Sequence, residues 1–305
     1  MKLKKLLAAA LISGSLLFSG HSYAADGMTE FRNAYLAAGS YTGVMVNGFD
    51  LFGPYFHADV SGKGQLLQDG SLAWEGKLNW VFTSKDSSNS ANENIPMYVE
   101  QRGGVMTLYA YRNNRWNKFN LPGIPSNLAK VLRSDDPKVL ANNMTVVKDA
   151  KVIDDNDKSR KIRVTVDGKK LAAVIGSAQG GATAAQNVVI NRLKTALNNA
   201  DFVVDWDVRK GTNETVTVNA NMTPVIRAYG KAVIDEMAAG KIKLSDEEKN
   251  YYATLGYYAE LPAYFTIIGA GNADKVMTPS GLNAATENGA VFDDIKKDIA
   301  TTPTK

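Results

Sequence analysis

The 305-residue chain has no cysteine and only two histidines, and its 31 acidic residues nearly balance 35 basic ones. Without cysteine there is no disulfide framework, thiolate nucleophile, cysteine zinc site or iron–sulfur cluster, and nothing to carry the lipid anchor of a bacterial lipoprotein. Proline is sparse at 9 residues, and no Pro-rich or Gly/Ser-rich linker divides the chain. No fixed-period repeat is visible. Long apolar runs are missing except at the start.

That start sets the expected compartment. Met1-Lys2-Leu3-Lys4-Lys5 is a short basic opening, Leu6 to Phe18 is an apolar run too short for a membrane span, and Ser22-Tyr23-Ala24 offers small residues for cleavage. Residues 1–24 therefore read as a secretory signal peptide, and the rest as an exported protein of a bacterial periplasm or cell envelope. Cleavage removes Lys2, Lys4 and Lys5, so the formal charge of +4 falls close to neutrality. A near-neutral chain makes no electrostatic case for nucleic acid, and no transmembrane segment is expected after cleavage.

What is present is alternation. Between Ser71 and Thr83, Leu72, Trp74, Gly76, Leu78, Trp80 and Phe82 alternate with Ala73, Glu75, Lys77, Asn79, Val81 and Thr83, the period of a long strand with one apolar face. Asp69-Gly70 and Gly103-Gly104 are hairpin signals on either side. They join this strand to one near Tyr55–Gln68, and Met97–Gln101 to Val105–Tyr111; Ser84–Asn94 reads as a polar connection and Arg115–Asn120 as a further strand. Before the meander, Met28, Phe31 and Tyr35 mark a helical face. After it come two short helices, Pro125–Leu132 and one opened by Asp135-Asp136-Pro137; strands follow near Met144–Ile153 and Ser159–Val166, and Lys169–Asn199 is helical with breaks at Gly176 and Gly180-Gly181. Phe202–Arg209 and Val216, Val218 and Ala220 form a second hairpin. Thr223-Pro224 is expected to cap a helix, Ser245 and Glu248 form a capping box, and Ala263–Ile268 reads as the last strand. Residues 25–270 make one domain and 271–305 a polar, partly disordered tail with one helical turn at 292–299.

Long antiparallel strands with helices between them give an α+β fold: one strongly curved sheet, a half-open barrel, with helices covering or plugging its concave face. The passage Ile95-Pro96-Met97-Tyr98-Val99-Glu100, Met106-Thr107-Leu108-Tyr109-Ala110-Tyr111 and Arg115-Trp116-Asn117-Lys118-Phe119 is similar to a strand-strand-tryptophan passage of LolA-like bacterial proteins. With the order of signal, first helix, meander and central helices, it resembles the LolA/LolB/LppX superfamily of envelope proteins. The resemblance implies a half-open barrel enclosing acyl chains, in a lipid-binding or lipoprotein-carrying protein. This chain is longer than the carriers, has no lipobox cysteine, and shows no match for the arginine of their cavity.

The candidate apolar lining is Leu72, Trp74, Leu78, Trp80, Phe82 and Trp206, read either as filled core or as the wall of a pocket for a lipid, acyl chain or lipoprotein. Catalysis is not expected. His57 is the only imidazole outside the signal, and no G-x-S-x-G, H-E-x-x-H or phosphate loop accompanies it. Asp154-Asp155-Asn156-Asp157 lacks the glycine and terminal glutamate of a calcium loop, and Asp205 and Asp207 lie opposite Trp206, on the solvent face. No metal or cofactor is called for. The expected role is non-enzymatic binding or carriage of an amphiphile. The alternative is a structural or interaction component of the envelope with a filled core, using the tyrosines Tyr251, Tyr252, Tyr257 and Tyr258 as a contact surface; the blander and preferred reading of the same tyrosines is that they cap the open end of the barrel.

Overall fold

The computed structural model describes residues 25–39, 45–66, 71–83, 90–128, 136–267 and 276–301. The signal at 1–24, the Asp69-Gly70 turn, and most of the expected helix after Pro125 lie outside the described residues.

The meander of the sequence becomes strands β1 (Met45–Phe52), β2 (Phe56–Leu66), β3 (Leu72–Thr83), β4 (Ser90–Arg102), β5 (Val105–Arg112) and β6 (Arg115–Pro122). β4 begins at Ser90, so residues 90–94, expected in a connection, pair with β3. The second group is β7 (Val147–Asp155), β8 (Ser159–Val166), β9 (Phe202–Arg209), β10 (Thr215–Asn221), β11 (Pro262–Ile267) and the two-residue β12 (Thr286–Glu287). Together they make one twelve-stranded sheet in the order β12-β6-β5-β4-β3-β2-β1-β11-β10-β9-β8-β7. All pairs are antiparallel except β12 with β6. β1 beside β11 joins the two groups, and the end strands β12 and β7 do not pair, so the curved sheet stays open.

One face of the sheet is apolar and the other polar, as period-two strands require. On β3, Trp74, Leu78, Trp80 and Phe82 are buried, and the register sets Leu78 between Val60 and Ile95. The opposite, outer face carries a side-chain ladder, Asp59–Asn79–Asn94, with bonds of 2.8 and 2.7 Å. Gly103 and Gly104 turn the β4–β5 hairpin at positive φ, where a glycine carries no penalty.

The helices are α1 (Ala25–Gly39), α2 (Pro137–Asn143), α3 (Gly168–Ser177), α4 (Ala184–Leu197), α5 (Thr223–Ala238), α6 (Asp246–Tyr257) and α7 (Asp293–Ala300). α4 and α6 start with complete capping boxes, Thr183 with Gln186 and Ser245 with Glu248. Thr223 does not cap α5: Met222 is the N-cap, and the Thr223 hydroxyl instead accepts from Leu261 N at 3.0 Å, tying the helix start to the residue before β11. Val216 is also corrected. A bulge between Thr215 and Thr217 turns Thr215 into the core and leaves Val216 exposed, because one extra residue reverses the alternation beyond it.

Residues 276–301, expected as a polar tail, are built onto both faces of the sheet. They cross the outer face with Met277 N on Glu75 at 3.2 Å, Tyr98 beside Thr278 at 3.4 Å, and Trp116 donating to Ser280 O at 3.1 Å. They then add β12 along β6 and end as α7, which buries Ile295, Ile299 and Ala300 in the common core.

Candidate functional site

The candidate lining forms one surface on the inner side of the sheet, but the protein itself already covers it. Trp74 is 3% exposed, Leu78 4%, Trp80 1%, Phe82 5% and Trp206 1%; Leu72, at the strand end, is half-buried. The first helix, a neighbouring strand and the turn into α7 supply partners across this face. Phe31 of α1 meets Trp206 edge-on at 5.1 Å, Phe56 stacks on Trp80 at 5.6 Å, and Phe292, just before α7, meets Phe119 edge-on at 6.0 Å. Trp74 lies flat on glycine-bare strands: a Cβ added at Gly62 or Gly76 would stand 2.5 Å from its ring, and one at Gly64 2.7 Å. Gly76, which the alternation groups with the apolar residues, thus makes room for the neighbouring indole.

Polar pins hold the helices to this face. Trp80 Nε1 donates to Asp298 of α7 at 3.0 Å. Burial, with Asp294 and Glu93 nearby, raises the Asp298 pKa, although the Trp80 bond opposes it. Arg112 bonds Glu93 and Asp294 through paired nitrogens, with distances from 2.6 to 3.0 Å, and also donates to Val291 O. Burial pushes the Asp294 carboxyl upward, but the Arg112 bonds and charge outweigh it and hold the group below its ordinary value. At the start of α4, Gln186 closes its own capping box and donates to Gly104 O and Gly123 O at 3.1 and 2.7 Å.

The remaining sequence candidates go elsewhere. His57 stacks on Phe52 at 4.4 Å and bonds Asp50 at 2.9 Å, half-exposed on the outer face. Asp205 receives both Arg163 bonds at 2.8 Å and Asp207 takes the Thr217 hydroxyl at 2.5 Å. Among the described residues no cluster of His, Asp and Glu could hold a metal ion, and no helix is long and apolar enough to cross a membrane. The tyrosine surface divides: Tyr257 is 70% exposed, whereas Tyr251 and Tyr252 are buried at 3% and 1%. A Tyr pair in a polar helix reads either as partner surface or as cover for the open end of the sheet, and the packing of α6 between α5 and α7 turns this pair inward. The outer face also carries an open groove of about 680 Å3 between Lys63, Glu75, Lys77, Pro96, Trp116 and Pro279.

The chain is similar to the crystal structure of LprF from Mycobacterium bovis, with a TM-score of 0.41 and 10% identity, over 83% of this chain and 96% of that one. No family matches the sequence, and no characterised protein matches it. At that score the similarity decides neither family nor ligand, so the functional reading rests on the geometry above.

Proposed function

We propose that this is an exported, non-catalytic envelope protein that binds or carries a lipid or other amphiphile, its acyl part held between the inner face of the open sheet and the helices packed on that face. The observation that carries this is the pairing of a continuous apolar face, Trp74 to Phe82 with Trp206, with a short terminal helix, α7, that rests on it through a few polar pins. Apolar contacts are non-directional, so acyl methylenes can replace those of α7, each contributing about 0.8 kcal/mol on leaving water. The helix α5 from Thr223 serves in this reading as further cover. The open sheet supports it too, since an unclosed edge leaves a way in. An envelope protein partner, such as a lipoprotein delivering its acyl chains, fits the same face, and nothing in the charge balance invites nucleic acid.

A second reading, a structural or interaction component with a filled core, is favoured by one observation: each large inner aromatic of β3 and β9 is already almost fully covered. Native mass spectrometry of protein purified from its own host separates the two. The carrier reading expects co-purified lipid, and uptake of a fluorescent fatty acid after solvent extraction. A protein that comes away empty and takes up no fatty acid is the structural component.

A further inference from the structure

We propose that the hydroxyls of Tyr251 and Thr254 on α6 and of Tyr229 on α5 receive the hydrogen-bond-accepting head of the bound amphiphile, a carboxylate or an ester. This rests on the reading of the protein as an amphiphile binder and deepens it.

The three side chains are 3%, 0% and 2% exposed; the hydroxyl oxygens of Tyr251 and Thr254 have no hydrogen-bond partner among the described residues, and that of Tyr229 faces only Arg192. Leaving a buried hydroxyl unmade costs free energy, while phenylalanine or valine would fill the same space without that cost. The groups cannot swing out to find partners. α5 and α6 touch at backbone level, since a Cβ at Gly230 would stand 2.6 Å from Gly256 N and 2.7 Å from Tyr252 O. Tyr251 is wedged edge-on against Tyr252 at 5.1 Å. Two helices locked in this way keep the hydroxyls in fixed positions inside the helical layer, and α6 reaches from there to α7, which sits on Trp80.

The chemistry of the head follows from the surroundings. Burial raises the Tyr251 proton well above its ordinary range and raises that of Tyr229, so both phenols stay protonated and offer donors; they call for an acceptor. Arg192 lies beside Tyr229, where its charge and its contact with the phenol oxygen oppose the effect of burial. Its Nε and Nη2 are, however, committed to Glu236 at 3.0 and 2.7 Å. With that cation balanced, the site suits a neutral ester or a singly charged carboxylate better than a dianionic phosphate.

The test uses the full-length protein after solvent extraction. A fluorescent polyene fatty acid is bound and then displaced by palmitic acid, methyl palmitate or hexadecane, with wild type, Tyr251→Phe, Tyr229→Phe and the exposed control Tyr257→Phe. The expected result is that wild type prefers the acid and the ester to hexadecane. Tyr251→Phe and Tyr229→Phe should each weaken the two headed ligands by about tenfold and leave hexadecane unchanged. Ligand-free Tyr251→Phe should melt no lower than wild type, because no internal bond is lost. Two results overturn the inference: binding with no preference for a head, or a preference that survives both substitutions. Lower melting of ligand-free Tyr251→Phe also overturns it, since that hydroxyl would then bond within the protein. A wild type that binds no chain at all sinks the amphiphile reading itself, a result distinguishable from loss of head preference alone.

Discussion

At the scale of single residues, Trp80 and Asp298 link the two ends of the described sheet-and-helix core. The indole lies on the inner face because of its place in an alternating strand, and its N–H meets a carboxylate 218 positions later. That carboxylate is held above its ordinary value of 3.8. A raised acid contributes stability that is full below the unfolded pKa and is lost as pH rises through the folded one. Ionised Asp298 therefore weakens the fold at neutral pH. Asp298→Asn keeps an acceptor for Trp80, so it should raise the urea midpoint at pH 7 and leave it nearly unchanged at pH 4. Asp294 has the opposite sign: lowered by Arg112, it contributes above 3.8 and loses that contribution as pH falls through its folded value. The inward position of Trp80 was legible in the period of β3. Its partner was not, because no local pattern connects residues so far apart.

Among the elements, α7 and the α5–α6 pair are the informative ones. α7 is held by Arg112, which faces two carboxylates, Glu93 and Asp294, at once. Removing the guanidinium leaves those carboxylates and Asp298 to repel one another. Arg112→Ala should cost about 1–3 kcal/mol, less than a fully buried pair because both partners are half-exposed. Hydrogen exchange is the readout: amides of 293–300 should lose protection while those of β3 and β4 keep theirs. For α5 and α6, Gly230→Ala forces the helices apart against backbone atoms, and should lower stability by about 1–3 kcal/mol, seen as a fall of several degrees in Tm. The capping box of α6 is legible in the sequence because it is local, its two residues three apart. The reversal at Val216 could not, since a bulge is set by how β9 and β10 pair across the hairpin.

For the whole molecule, the last described segment acts as a clip that passes over the outer face of β3 to β6, pairs with the β6 edge, and ends on the inner face. With no native cysteine, the clip can be fixed without ambiguity. Glu93→Cys together with Asp294→Cys, bridged by a short bifunctional thiol reagent, should abolish fatty-acid uptake if α7 yields to the ligand, whereas the unbridged double variant should retain it. Uptake that survives bridging would place the entry elsewhere on the open sheet. The sequence by itself determined the missing chemistries, the polar outer and apolar inner faces, and the strand and helix order, because composition and period are local properties. Only the tertiary structure decided that the inner aromatics are covered, that the polar end of the chain is a clip, and that Tyr251 points inward. Each of these depends on which distant surface an element meets, and burial is a property of the pair rather than of either sequence segment.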